Sequence, residues 1–384
     1  MRIVFLSNYF NHHQSEASKA WNNLTNGQYY FIETAEMREE RRKLGYTIEK
    51  PSYVIPCFNE SEKRRVLTEV EQADVVVCGS APDELIDDRQ RMRRLVFRYS
   101  ERIYKDHYQW YKWPFRLVSF QRKFGRHKNT YLLCASAFTA ADYAKHGAFL
   151  KKTYKWGYFP PLVRYDHVED MIAAKRKMSI LWCGRYLNWK HPEDALAVAK
   201  RLQDDGLDFE MNFIGTGELE ETLRTSIREE GLEERVHLLG AMKSDRVRAY
   251  MEQAEIFLFT SDRHEGWGAV LNEAMNSGCA VVASHAIGSV PFMIEDNRNG
   301  CIYQSGNVDM LYKKVKYLLE HPDEREKIGL AAYQTVEQEW NAEVAAERLM
   351  RLAERIQQGE KHPDLYQSGP CSRATILRDN WYRD

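Results

Sequence analysis

The chain has 384 residues, enough at roughly 150 per domain for two or three domains with sizeable cores. Hydrophobic residues make up 43% and charged residues 29%, which excludes wholesale disorder; no apolar run approaches the roughly 18–20 residues a bilayer span needs. The formal net charge of −1 conceals a split: residues 1–165 carry +10 and residues 166–384 carry −11, which points to two units with different partners.

Residues 1–7 read as a first strand, too short for a signal peptide, and seven scattered cysteines without a CxxC pair argue against disulfides and structural zinc. A cytoplasmic protein is expected. In the first half, strands are predicted at 2–7, 28–32, 52–57, 74–79, 94–98 and 130–134, with helices clearest at 62–72 and 138–146. In the second half strands are predicted at 178–183, 208–214, 235–239, 255–260, 280–283 and 301–303. Helices at 192–205, 218–230, 244–253 and 268–276 lie between them. Repeated β-α alternation means α/β architecture with parallel sheets covered on both faces. Two such series, separated by a Pro160-Pro161 hinge region, predict two doubly wound domains facing across a cleft. The expected boundaries are 1–165, 166–345 and a helix-and-tail segment 346–384 packing back on the protein. Three closing helices are predicted at 308–320, 323–339 and 342–357.

The most specific segment runs from Thr260 to Glu273 (TSDRHEGWGAVLNE). It follows a buried-type strand and leads into a helix. Gly266 and Gly268 would let backbone approach a ligand, and free N–H groups from Trp267 and Ala269 onward favour a diphosphate. Eight residues separate Glu265 from Glu273, roughly 12 Å at most at helical rise. That separation suits a sugar at Glu265 and a ribose at Glu273, joined by a diphosphate. A capped helix with two solvated glutamates would explain either carboxylate alone; the combination favours a nucleotide sugar.

This segment resembles the Glu-x7-Glu motif of retaining glycosyltransferase family 4, whose GT-B architecture has two Rossmann-like domains. Other pieces follow in the family's order. Cys183–Lys190 is similar to its Gly-Arg…Lys element, implying that Arg185 and Lys190 clamp the donor diphosphate. Ile214-Gly215-Thr216-Gly217-Glu218 resembles its glycine turn, although a plain strand–helix turn reads equally well. Gly240, Ala241 and Met242 fall where family members hold the nucleotide base. Residues 283–291, with Glu295-Asp296 and Asn299-Gly300, resemble a later family segment. The likeness covers residues 178–345 and implies a nucleoside-diphosphate sugar, UDP-linked rather than GDP-linked, as co-substrate, of bacterial polysaccharide-biosynthesis type.

Neither half contains the GxGxxG of a nicotinamide dehydrogenase or a GxxxxGK[ST] phosphate loop. No Asp-x-Asp lies at a strand end and no His/Asp/Glu cluster has metal-ligand spacing, so no metal or other cofactor is expected. The phosphate charge would then fall to Arg185, Lys190 and backbone N–H groups.

The first half matches the family less closely. The loop after its first strand holds Asn8, His12 and His13, of which His13 could donate a hydrogen bond or relay a proton. Near the strand end at 98–102, Tyr99, Ser100 and Glu101 stand where many relatives place a histidine, and Arg98, Ser100 and Glu101 are acceptor-side candidates; Glu101 paired with Arg98 or Arg102 is the structural alternative. Residues 89–128 hold 13 Lys/Arg against two acids, with ten aromatics including Trp110, Tyr111, Trp113 and Phe115. This composition favours an anionic lipid surface at the inner face of the membrane, or a phosphorylated lipid acceptor, over single-stranded nucleic acid, which no motif supports. Arginines in solvent and aromatics in a core are the plain alternative.

The function expected is sugar transfer from a nucleoside-diphosphate sugar to a hydroxyl of a glycan or lipid-linked saccharide. By resemblance the anomeric configuration is retained. With Glu265 assigned to sugar hydroxyls, no carboxylate remains as a nucleophile beneath the anomeric carbon, so front-face substitution is favoured. Non-catalytic sugar-nucleotide binding and nucleotide-sugar epimerisation remain the alternatives.

Overall fold

The computed structural model describes residues 1–37, 39, 49–106, 113–125 and 127–382. They form two compact units. The first comprises Met1–Pro161 and Asn341–Arg378; the second comprises Leu162–Trp340 and the end of the chain from Asp379.

Seven strands build the first unit: β1 (Ile3–Ser7), β2 (Tyr29–Glu33), β3 (Val54–Pro56), β4 (Val75–Cys78), β5 (Val96–Ser100), β6 (Thr130–Cys134) and β7 (Thr153–Lys155). They pair in parallel in the order β3-β2-β1-β4-β5-β6-β7. Every residue of β1, β4 and β6 is buried. Their near-continuous apolar runs follow from burial on both faces.

Six strands build the second: β8 (Arg176–Cys183), β9 (Glu210–Ile214), β10 (Val236–Leu238), β11 (Ala254–Phe259), β12 (Ala280–Ser284) and β13 (Cys301–Tyr303). Their order is β10-β9-β8-β11-β12-β13, again parallel. In each sheet the chain works outward from a first central strand, then crosses to that strand's other side. The reversal falls between β1 and β4, and between β8 and β11. A crevice opens at the carboxyl ends of the strands flanking such a reversal, and ligands of open α/β sheets bind there.

All twelve predicted strands are present, with ends shifted by a few residues. Several elements were not predicted, and two of them shape the first unit. Helix His12–Leu24 is capped by Asn11, whose side chain accepts the His13 N–H at 2.9 Å, so His12 and His13 form its first turn instead of a loop. Strand β7 is only three residues long and lacks a hydrophobic pattern. The tail completes it: Cys371 N–H donates to Lys155 O at 2.8 Å, Lys155 N–H to Ser372 O at 2.8 Å, and Ala374 N–H to Thr153 O at 3.1 Å. The sheet edge is thereby covered. Of the predicted hinge, Trp156 and Phe159 are core residues of the first unit; Trp156 stacks on Trp21 at 5.7 Å.

Candidate functional site

Strand β8 ends at Cys183, and a short turn at Asn188–Lys190 presents Lys190 toward the loop after β11. There Lys190 Nζ pairs with Glu265 Oε2, which also accepts from Ser261 Oγ at 3.2 Å. The pair therefore spans the β8/β11 reversal. Backbone and side-chain bonds fix the two loops to each other. Thr260 Oγ1 donates to Lys190 O at 2.7 Å and accepts from Trp182 Nε1 at 2.8 Å, while Asp262 N–H donates to Trp189 O at 2.9 Å. The Lys190 and Glu265 side chains are only 14% and 11% exposed, so their attraction is screened less than that of a surface pair. Lys190 Nζ also lies 4.5 Å from the Trp189 ring centroid, a cation–π distance. Arg185 is exposed and has no ion-pair partner among the described residues.

Glu273 sits in helix Val270–Asn276, half-buried. Burial pushes its pKa up, and Arg248 opposes the shift. The Cys183 thiol is pushed up to about 12 by burial, with Glu273 adding to the shift and Lys190 opposing it. Glu273 and Lys190 thus share the neighbourhood of the β8 terminus. The helix starts two residues later than predicted and spans seven residues.

The predicted glycines divide by role. Gly268 has φ +81°, and a Cβ there would sit 2.3 Å from Phe259 Cζ. A Cβ on Gly215 would lie 1.8 Å from Gly184 O, and one on Gly217 2.4 Å from Tyr186 O. These two glycines let the β9 turn lie against residues 184–186, where Gly184 N–H donates to Ile214 O at 2.9 Å and Tyr186 N–H to Thr216 O at 3.0 Å. Close packing of backbone on backbone accounts for them without a phosphate. Gly240 O accepts from Gly215 N–H at 2.9 Å; beyond it Ala241 is exposed and Met242 half-buried. Gly266 directly follows Glu265 and is buried. The Trp267 ring is buried against Trp340 and Phe292, with Nε1 donating to Asn272 Oδ1 at 2.9 Å, so only its backbone is available to a ligand. Ala269 caps the helix.

Several residues here were not anticipated. His191, in the left-handed region at φ 51°, contacts Glu193 Oε1 at 2.8 Å and Asp262 Oδ2 at 3.5 Å. The bonds to Asp262 and then Glu193 raise its pKa to about 10. Burial alone would raise Asp262, but hydrogen bonds from His191 and His264 outweigh it and bring Asp262 to about 2. Ligand atoms of His191, Glu193 and Asp194 lie within 4.8 Å of one another, so these sequence neighbours form a His/Glu/Asp grouping that was not expected. The tail contributes too. Asp379 lies 3.8 Å from Arg263, Trp381 Nε1 donates to His285 O at 3.1 Å, and Tyr382 Oη donates to Ile302 O at 2.8 Å.

In the first unit, Asn8 follows β1 and its Oδ1 accepts the Tyr9 N–H at 2.8 Å. The His13 ring stacks on Tyr158 at 4.6 Å, with His12 4.0 Å from His13. Tyr158 Oη donates to Glu101 Oε1, and Lys105 pairs with Glu101 at 2.8 Å. Ser100 Oγ donates to Glu101 O and accepts from Tyr143 Oη at 3.2 Å. His13, Tyr158, Ser100 and Glu101 therefore form one connected group at the carboxyl end of the sheet. The pairing of Glu101 with Arg98 or Arg102 does not occur. Arg98 pairs with Asp83 at 2.7 Å, and Arg102 lies 3.7 Å from Asp142.

The basic segment 89–128 is not one surface. Arg89 is buried and donates to Leu95 O, Val70 O, Ala73 O and Asp74 O at 2.8–2.9 Å. Helix Trp113–Phe120 exposes Trp113, Phe115 and Val118 (Phe115 at 81%), with Arg116 in the same helix and Arg122 just after it. Trp110 and Tyr111 lie outside the described residues.

Two parallel sheets of seven and six strands, each in its own unit, match the GT-B architecture. HepE of Anabaena, crystallised with UDP, aligns over 93% of this chain and 100% of its own with a TM-score of 0.68 at 15% identity. Sucrose-phosphate synthase of Thermosynechococcus elongatus aligns over 94% and 100%, with a TM-score of 0.65 at 13% identity. Residues 168–335 match the family described as glycosyl transferases group 1. Among curated relatives, the amylovoran biosynthesis glycosyltransferase AmsK of Erwinia amylovora is 31% identical over 189 residues, 48% of this chain and 46% of the relative. The putative colanic acid biosynthesis glycosyltransferase WcaL of Escherichia coli is 26% identical over 190 residues, 48% and 47%. The matched region spans about half the length of each of these relatives.

Proposed function

We propose that this protein transfers a sugar from a nucleoside-diphosphate sugar to a hydroxyl of a glycan or lipid-linked saccharide, with retention of configuration. The observation that carries this reading is the Lys190–Glu265 pair across the β8/β11 reversal, with uncommitted Arg185 on the same loop and Glu273 near the β8 terminus. A strand-order reversal is where an open α/β sheet binds nucleotides. Here a cation pair is available for a diphosphate, and two carboxylates for sugar and ribose hydroxyls.

In the proposed reaction Lys190 turns from Glu265 toward the leaving diphosphate, and Arg185 joins it. Their charge offsets the negative charge that grows as the bond to the anomeric carbon breaks. Glu265, released from Lys190, accepts hydrogen bonds from sugar hydroxyls, and the acceptor enters on the face the diphosphate leaves. Acceptor binding is assigned to the first unit, with His13 as the group that orients or relays the acceptor proton. UDP is the preferred carrier, in keeping with the UDP-bound HepE, and no metal is required. The exposed face of helix Trp113–Phe120 is assigned to an anionic membrane surface, with Phe115 and Val118 entering the interface and Arg122 facing lipid phosphate.

The test is incubation with UDP- and GDP-sugars, with and without a polyprenyl-diphosphate saccharide. Acceptor-dependent release of diphosphate, with an anomeric proton coupling that matches the donor, supports transfer with retention. Product formed without acceptor would make the protein an epimerase or hydrolase instead.

A further inference from the structure

Part of the basic segment 89–128 is left unexplained by the aromatic helix. Arg93, Arg94 and Lys128 line a cavity of about 660 Å³ in the first unit, together with Lys152, Lys361 and His362. Residues 93–95, 128–129 and 152 lie just before β5, β6 and β7, so the cavity opens at the amino ends of these strands. The His13, Ser100 and Glu101 group lies at the carboxyl ends, on the opposite side of the sheet.

The cavity has an uncompensated charge. Five Lys/Arg line it against two carboxylates, of which Glu360 pairs with Arg355 at 2.8 Å while Asp74 accepts the Arg2 backbone N–H at 2.7 Å. Among the described residues, none of Arg93, Arg94, Lys128, Lys152 and Lys361 has a carboxylate partner. Two of them are fixed by backbone instead. Arg94 donates to Ala73 O at 3.2 Å, and Lys152 to His127 O at 3.1 Å and Lys128 O at 2.5 Å. Burial and then the fields of Arg373 and Lys152 lower the His362 pKa, the response expected where cations crowd without a counter-charge. Leu95, Tyr131 and Ile356 give the cavity an apolar wall.

We infer that this cavity is a second binding site, separate from the donor site, for a soluble organic phosphate. Guanidinium forks and ammonium groups suit phosphate oxygens, and the apolar wall suits a carbon skeleton attached to them. The volume lies within the range of small-molecule sites. The inference stands whether or not the donor reading holds.

The experiment is calorimetric titration of the full chain with inorganic pyrophosphate and with glucose 1-phosphate, each with and without saturating UDP. Saturable binding that persists under UDP is expected. The variant Arg93→Asn/Lys128→Ser/Lys361→Ser removes three exposed cations, and asparagine tolerates the positive φ of 58° at position 93. It should weaken binding of both probes at least 10-fold while UDP affinity and the thermal midpoint stay unchanged. Absence of saturable binding in the UDP-saturated wild type would overturn the inference. So would equal affinity in the variant, or charge-dependent capture by phosphatidate vesicles without binding of either soluble probe.

Discussion

Replacing Lys190 with alanine is the perturbation the structure prices most directly. It removes the cation from a pair whose side chains are 14% and 11% exposed, leaving Glu265 with Ser261 as its side-chain donor. Breaking a buried pair by deleting one partner costs about 3–5 kcal/mol. The residual exposure of this pair brings the expected loss of stability to about 2–3 kcal/mol. Catalysis should suffer separately, because Lys190 is assigned to the leaving diphosphate. A fall of about 100-fold in kcat/KM, equal to ~2.7 kcal/mol, is expected under conditions where the variant is fully folded. Urea unfolding and steady-state kinetics of Lys190→Ala, Glu265→Ala and the double variant separate the two effects. The stability cycle should give a coupling of about 1.5–3 kcal/mol, and the Lys190→Ala/Glu265→Ala protein should regain stability without regaining activity. Near-wild-type turnover by folded Lys190→Ala would refute the reasoning. A coupling near zero would refute the structural half of it.

Other expectations follow from single contacts. Gly215→Ala would place a methyl 1.8 Å from Gly184 O, and loss of soluble, cooperatively unfolding protein is expected; an unchanged thermal midpoint would contradict the geometry. His191 has a folded pKa raised to about 10, so its contribution is complete below its unfolded value of about 6.5 and fades as pH rises toward 10. Asp262, held near 2, contributes above about 4 and loses this below pH 4. The midpoint difference between wild type and His191→Asn, which keeps the left-handed backbone accessible, should therefore be greatest between pH 4 and 6.5 and shrink toward pH 10. Being about one-third exposed, the pair should amount to no more than about 1 kcal/mol. Tyr158→Phe breaks the bond to Glu101 and should raise the acceptor KM while donor affinity is unchanged, as steady-state kinetics with varied acceptor would read. Phe115→Ser should reduce sedimentation with phosphatidylglycerol vesicles several-fold and leave phosphatidylcholine controls unaffected.

The sequence made the architecture legible because buried parallel strands such as Val75–Cys78 have to be apolar throughout, and because Asn and Gly mark their connections. Strand β7 was invisible, since Thr153–Lys155 owes its place to hydrogen bonds from residues 371–374, more than 200 positions away. Helix His12–Leu24 was missed because its paired histidines and lack of acidic first-turn residues hide an Asn11 cap. In the candidate site, Lys190 and Glu265 were readable from motif order, and the structure brings the two side chains into contact. Gly215 and Gly217 were ambiguous because glycine serves a phosphate or a close backbone equally; here packing on residues 184–186 is sufficient reason. Tyr158 lay in what reads as a hinge, and nothing local marks it as the bridge between His13 and Glu101. The basic segment carried a composition but no geometry. Folding distributes it among a buried structural arginine, an aromatic helix and a cavity on the other end of the sheet.

The central claim is that a nucleoside diphosphate binds at the β8/β11 reversal through Lys190. Thermal unfolding of wild type and Lys190→Arg with UDP, using GDP as the comparison, tests it most directly. Arginine keeps the charge while altering its geometry. UDP at about 100 times its Kd should stabilise the wild type by roughly 2.7 kcal/mol, and the variant by clearly less. An equal UDP shift in both proteins, or none in the wild type, would contradict the account.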